Sequence, residues 1–149
     1  MDPSIFAATF AVFFVAHGIA DYWVQTDWQA QNKSKSGNAL GRHVTTYSLT
    51  FIPALLVINT FRPLALWEVA AAVLAIGLPH AALDTRKLIT WFCATTKGWR
   101  PDNMVDQGDG TLRALTPWEI AVRFHVTIAL DQKAHFLCLA LVAAWLAAK

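Results

Sequence analysis

Residues 64–83 read LALWEVAAAVLAIGLPHAAL, and they decide the fold class because their only Asp, Glu, Lys or Arg side chain is Glu68. An α-helix needs about 20 mainly apolar residues to cross the hydrocarbon core of a bilayer. Residues 136–148 (FLCLALVAAWLAA) are also almost wholly apolar. Small soluble domains leave much of their surface exposed, so two such runs are difficult to bury in one. We therefore predict an integral membrane protein; the alternative is a soluble all-α bundle with deeply buried helices.

The composition of the whole chain supports the membrane prediction. Of its 149 residues, 56% are hydrophobic and 15% are charged, whereas about a quarter of the residues in soluble domains are charged. The mean hydropathy is +0.40, and the seven tryptophans suit the two interfaces of a bilayer. The bilayer is thus the first expected partner, and a net charge of +2 gives no reason to expect nucleic acid.

Hydropathy and helix-start signals predict one all-α domain over residues 1–149, an integral membrane four-helix bundle. The predicted spans cover about residues 5–24, 43–61, 64–83 and 126–147. Asp2-Pro3 suits the start of the first helix, and the run from Thr116 to Glu119 suits a capping box before the last. A longer cytoplasmic loop, about residues 90–115, joins the third and fourth helices. Within it, Asp109-Gly110 predicts a turn, which we assign to a small hairpin.

Basic residues are distributed unequally between the two ends of these spans. The loops after the first and third spans carry nine Lys and Arg side chains, and the opposite ends carry two. The nine are Lys33, Lys35, Arg42, Arg86, Lys87, Lys97, Arg100, Arg113 and Arg123; the two are Arg62 and Lys149. Because basic loops stay in the cytoplasm, we expect both termini outside.

The four spans carry seven His and Asp side chains that could ligate a metal. They are His17, Asp21, His43, His80, Asp84, Asp131 and His135. Six of them form pairs spaced by four residues, which places both members on one helix face. Odd spans run toward the cytoplasm and even spans run away from it, so all seven fall at the depth of the cytoplasmic leaflet. The sequence therefore predicts a convergent polar site.

A divalent cation would balance this site, because charged groups inside a bilayer must be paired or coordinated. Imidazole nitrogen and carboxylate oxygen suit Zn²⁺, with Fe²⁺ or Mn²⁺ as alternatives. Seven donors exceed the four that one zinc needs, so we expect one or two ions and favour two. The alternative is a metal-free network that holds the helices together or relays protons. We expect Gln25 and Gln132 to support the ligands by hydrogen bonds, and His125 to lie off the site.

The elements His17-Gly-Ile-Ala-Asp21, His43, His80-Ala-Ala-Leu-Asp84 and Asp131-Gln132-Lys-Ala-His135 resemble a family of small bacterial and phage membrane proteins, domain-of-unknown-function family 3307. The resemblance covers all four spans and implies the bacterial inner membrane as the location. More loosely, the inward His and Asp layout is similar to predicted membrane-bound metal-dependent hydrolases. That similarity implies catalysis on a lipid-linked or amphipathic substrate.

Several function classes remain open from the sequence. The first is a metal-dependent hydrolase, since a metal-activated water needs no Ser or Cys nucleophile. The second is a metal-binding transporter, sensor or carrier; transport through four spans would require a homo-oligomer. The third is a non-catalytic membrane partner protein whose polar layer specifies folding, and a di-iron redox protein is a further variant.

Overall fold

Helices make up most of the chain in this computed structural model, which describes residues 1–148. Helix α1 covers Pro3–Gly18 and continues as a π-helical segment, Ile19–Val24. The other helices are α2 Asp27–Asn32, α3 Gly37–Asn59, α4 Leu66–Asp84, α5 Lys87–Lys97 and α6 Pro117–Ala147. Strands β1 (Met104–Asp106) and β2 (Leu112–Ala114) pair in antiparallel register. The chain is thus mostly helical, as predicted, and the small hairpin around Asp109-Gly110 is confirmed.

The helix starts follow the predicted capping signals. Asp2 Oδ1 accepts a hydrogen bond from the Ser4 main-chain N–H at 2.8 Å. Thr116 and Glu119 form the reciprocal capping box, in which Glu119 Oε2 accepts from the Thr116 main-chain N–H at 2.8 Å. Helix α3 begins earlier than the predicted second span, because Ser36 caps it before the apolar residues begin. The side-chain caps therefore set the starts of α1, α3 and α6, whereas hydropathy alone places the second and fourth spans several residues later than α3 and α6 begin.

Three helices are long and apolar enough to cross a membrane, and they indicate a membrane protein. They cover Pro3–Val24, Leu66–Asp84 and Pro117–Ala147. Helix α3 has 23 residues and is therefore long enough, but its first half contains Arg42, His43, Thr45, Thr46 and Ser48. These charged and polar side chains, Arg42 and His43 above all, lower its hydropathy below that of the other three.

The four long helices pack around one core. Helices α1 and α4 each contact both α3 and α6. Phe13, Phe51, Ile76 and Leu139 from these four helices are at most 1% exposed. Helices α3 and α4 approach closely at Gly77, where a Cβ atom would lie 2.5 Å from Ser48 Oγ. This arrangement brings the ends of α1 and α4 beside the start of α3.

The connection between α4 and α6 is more ordered than the predicted loop over residues 90–115. Its first part forms α5, because Ile89 and Cys93 lie on one helix face and pack against Leu83 and Leu130. An 11-residue helix with one apolar face gives no membrane-span signal. Helix α5 therefore begins shortly after the candidate span Leu66–Asp84 ends.

Candidate metal centre

Four of the seven predicted ligands converge at one end of the core. Asp21 comes from the π-helical segment, His43 from α3, and His80 and Asp84 from α4. Each is at most 5% exposed. The π-helical segment has a wider turn than an α-helix, and such turns are frequent at functional sites. Three separate stretches of the chain thus deliver one group of donor atoms.

The ligand atoms are spaced as they would be around one small cation. His43 Nε2 lies 2.9 Å from His80 Nε2, 3.1 Å from Asp21 Oδ1 and 3.1 Å from Asp84 Oδ2. His80 Nε2 lies 3.1 Å from Asp84 Oδ2 and 3.7 Å from Asp21 Oδ1. A tetrahedral zinc ion with bonds of about 2.0–2.1 Å separates its ligands by about 3.3–3.4 Å. The four residues therefore fit a divalent ion.

The hydrogen-bonding state of these atoms agrees with that fit. Asp84 Oδ2 has no hydrogen-bond partner among the described residues, although two ring nitrogens lie 3.1 Å away. The Nδ1 atoms of His43 and His80 are also buried without partners there. With the ring protons on Nδ1, both Nε2 lone pairs face the carboxylate oxygens. A cation at their centre would satisfy all of these lone pairs.

Lys33 is a member of the site that the sequence did not reveal. Its Nζ atom lies 2.9 Å from Asp84 Oδ1, 3.5 Å from Asp21 Oδ1 and 3.3 Å from His43 Nε2. The side chain is 11% exposed and reaches in from the connection between α2 and α3. We counted it only as a loop charge, because no periodicity links it to the ligands. Its ammonium group supplies positive charge beside the two carboxylates.

Tyr47 is the second residue that the sequence analysis missed. Its ring stacks on that of His80, with centroids 3.4 Å apart and planes 13° apart. It is 1% exposed, so it fixes the orientation of the His80 ring by packing. Tyr47 follows His43 by four residues, the same spacing that singled out the His and Asp pairs. That spacing could have found it.

His17 lies beside the group but uses both ring nitrogens elsewhere. Nε2 is 3.1 Å from Gln132 Oε1, and Nδ1 is 2.9 Å from the Tyr47 hydroxyl. Because an amide oxygen only accepts, Nε2 carries the proton and Nδ1 accepts from Tyr47. His17 Nε2 is also 3.8 Å from Asp21 Oδ2. His17 therefore lies next to the four converging ligands and is hydrogen-bonded to Tyr47 and Gln132.

The remaining predicted ligands lie at the edge of the site. His135 Nδ1 is 2.8 Å from the Asp131 carbonyl oxygen and donates to it, so Nε2 carries the lone pair. That Nε2 and Asp131 Oδ1 are buried without partners among residues 1–148. The His135 ring centroid is 4.5 Å from that of His80. Gln25 supports the backbone instead, since its Nε2 donates to the Asp21 carbonyl at 3.1 Å.

Comparison with known proteins gives one family match. The family model described as "Protein of unknown function (DUF3307)" matches residues 9–149. This range includes every predicted and observed member of the site. No curated protein and no solved structure matches the chain.

Proposed function

The chain belongs to domain-of-unknown-function family 3307, and from this premise we propose that it is an integral membrane metal-binding protein. In this proposal four helices cross the bilayer and one divalent ion, zinc by preference, binds to Asp21, His43, His80 and Asp84. The convergence of these four buried donor atoms is the observation that carries the proposal. Iron or manganese would suit the same nitrogen and oxygen ligands.

The side chains of α3 support its role as the fourth span. Leu49, Ile52, Leu56 and Val57 point outward and are 40–65% exposed, as expected for contacts with lipid. The hydroxyl groups of Thr45, Thr46 and Thr50 donate to main-chain carbonyls of the same helix; for example, Thr50 Oγ1 donates to the Thr46 carbonyl at 2.9 Å. Polar groups that bond inside their own segment are tolerated in a bilayer.

The charges near the site support a location on the cytoplasmic side of the membrane, and the family resemblance implies that this membrane is the bacterial inner membrane. Arg86 and Lys87 come two and three residues after Asp84, and the connection that carries Lys33 and Lys35 lies at the same end of the core. Basic residues that flank spans favour the cytoplasmic side. We therefore place both termini outside and the metal centre at the depth of the cytoplasmic leaflet.

Hydrolysis is the second candidate function, and His135 is the observation that favours it. A bound divalent ion would supply Lewis-acid activation of water near neutral pH. The free, buried Nε2 of His135, next to His80, would accept the proton, and Lys33 would hold an anionic oxygen of the substrate. A lipid-linked phosphate or ester reaches this depth. The low exposure of all four ligands instead favours a non-catalytic sensor, carrier or partner protein.

Metal content tests the main proposal. Detergent-purified protein, grown with zinc, iron and manganese, is measured by elemental mass spectrometry beside His80→Ala and Asp84→Ala. We expect about one equivalent per chain in the wild type and none in the two variants. His125→Ala is the matched control, because the His125 ring is exposed and bonds only to the Ala121 carbonyl of its own helix. Absence of metal from folded wild-type protein would refute the proposal.

The same samples separate one ion from two, and catalysis from binding. Two equivalents would support the predicted two-ion site and bring His17, Asp131 and His135 into it. For catalysis, His135→Gln is assayed on phosphate and ester lipids in vesicles. We expect it to retain the metal and lose hydrolysis. Equal hydrolysis by His135→Gln and wild type would exclude His135 as the base, and no hydrolysis by either would leave the non-catalytic function.

A further inference from the structure

A separate cavity of about 260 Å³ lies between α5, α6 and the connection to the β-hairpin. Residues on its wall include Trp99, Arg100, Asn103 and Arg123. None of the metal-centre residues lines it, and neither does any Asp or Glu of the described chain. The cavity wall therefore offers hydrogen-bond donors and the positive charge of Arg123, whereas Arg100 is paired with Asp102 through its Nε and Nη2 atoms at 2.8–3.2 Å.

Arg123 is the residue that most needs a ligand there. Its Nη1 atom is buried and has no hydrogen-bond partner among residues 1–148. Its guanidinium carbon lies 5.3 Å from the centre of the Trp99 ring, and Lys97 Nζ lies 5.8 Å from that ring. Trp99 thus makes cation–π contacts with both Arg123 and Lys97. A buried guanidinium N–H without an acceptor is costly, so Arg123 is the wall residue that lacks an acceptor for part of its hydrogen-bonding capacity.

One wall of the same cavity is apolar. Ile120 and Phe124 lie four residues apart on one face of α6 and are 42% and 54% exposed. A free inorganic anion would gain nothing from this wall. A ligand with a charged head and a hydrocarbon part would use both walls.

The position of the cavity along the chain places it at the edge of the bilayer. Helix α5 starts at Lys87, just after the candidate span that ends at Asp84. Leu88, Trp91 and Phe92 form an exposed apolar face of α5, which is typical of a helix that lies in the interface. Because about 20 residues of the 31-residue α6 cross the hydrocarbon core, its first turns lie at this interface too.

We propose that this cavity binds the phosphate group of an anionic phospholipid from the surrounding leaflet. The phosphate oxygens would accept hydrogen bonds from Arg123 and from Arg100 Nη1, which the bonds to Asp102 do not use, and the glycerol and upper acyl carbons would lie against Ile120 and Phe124. Arginine suits this role because its planar fork matches phosphate geometry. The site is independent of the metal centre.

Native mass spectrometry of the full detergent-purified chain tests the proposal. Dioctanoyl phosphatidylglycerol, dioctanoyl phosphatidylcholine and inorganic phosphate are the three probes. We expect one phosphatidylglycerol per chain, bound at least tenfold more tightly than phosphatidylcholine, and no displacement by millimolar phosphate. Arg123→Gln should weaken phosphatidylglycerol binding at least tenfold. Arg113→Gln is the matched control, because Arg113 is exposed, pairs with Glu119 and does not line the cavity.

The other outcomes refute specific parts of the proposal. Displacement by inorganic phosphate, or equal binding of phosphate alone, would show a free-anion site. Equal binding of the two lipids, unchanged in Arg123→Gln, would show that the cavity does not select an anionic lipid. If Arg123→Gln fails to fold, Arg100→Gln gives the same test, because the exposed Arg100 side chain contributes little to folding. Unchanged selectivity in Arg100→Gln would then refute the proposal.

Discussion

Replacing Lys33 by methionine should destabilise the metal-free protein and strengthen metal binding. The Lys33 ammonium lies 2.9 Å from Asp84 Oδ1 and 3.5 Å from Asp21 Oδ1, and it is 11% exposed. In the variant, two buried carboxylates face each other without that cation. A divalent ion supplies the missing charge and no longer has to displace a lysine, so its binding should become tighter.

The expected magnitude follows from the burial of the pair. Loss of one partner of a buried ion pair costs about 3–5 kcal/mol, and the residual exposure of Lys33 places it at the low end, about 3 kcal/mol. At about 2–4 °C per kcal/mol for a chain of this size, the melting temperature in chelator should fall by roughly 6–12 °C. A gain of only about 1.4 kcal/mol in metal binding corresponds to tenfold tighter affinity.

The assay is thermal unfolding in detergent, followed by tryptophan fluorescence, with chelator and with saturating zinc. Lys35→Met is the matched control, since Lys35 is exposed in the same connection. Zinc should restore most of the lost stability of Lys33→Met, and it should raise the melting temperature of Lys33→Met by more than that of Lys35→Met, because the variant binds zinc more tightly. Equal melting temperatures for the two variants in chelator would show that Lys33 does not balance the carboxylates. A fall in the melting temperature of Lys33→Met that zinc does not reverse would support the ion pair of Lys33 with the carboxylates and contradict metal binding.

Three further predictions concern other parts of the chain. Tyr47→Phe removes the hydrogen bond to His17 but keeps the stacked ring, so we expect a loss of about 1 kcal/mol in stability with metal content unchanged; Tyr47→Ala should lose the metal as well, and retention of metal there would contradict the orienting role. Arg62 and Glu68 form a buried ion pair at 2.9 and 3.1 Å. Arg62→Met should lower the free energy of unfolding by about 3–5 kcal/mol, and the double variant Arg62→Met/Glu68→Gln should lower it by less. Additive losses in a double-mutant cycle would exclude coupling between the two residues. In a background lacking both native cysteines, Thr111→Cys should react with an impermeant maleimide only after the cytoplasmic side is opened, and Thr60→Cys should react from outside; the reverse pattern would invert the topology.

The sequence was most informative where a helical period relates residues to each other. A spacing of four puts His80 and Asp84 on one face, and the alternating direction of the helices brings them to His43. The same reasoning reached Asp21 across the π-helical turn. These four were predictable because each lies on a long helix whose position hydropathy or capping indicates.

Contacts made by short or irregular segments could not be predicted in the same way. The position of Lys33 depends on the path of the connection from α2 to α3, which no period describes. His17 was predicted as a ligand, but the structure gives both of its ring nitrogens to Gln132 and Tyr47. Competition between hydrogen-bond partners is a property of the packed core, and residue spacing does not show it.

Because of the π-helical turn at Ile19–Val24, the helix backbone should accept the deletion of one residue that the metal site does not accept. A π-turn contains one residue more than the α-helix around it requires. Deleting one residue there would let the helix close into regular α geometry, with its hydrogen bonds intact. Deletion of Ile19 would also shorten the spacing between His17 and Asp21 from four residues to three, so the Asp21 carboxylate would move from its position beside His43. A single deletion in this turn should therefore abolish the centre with little damage to the helix, whereas a deletion inside α4 would displace its whole packed face.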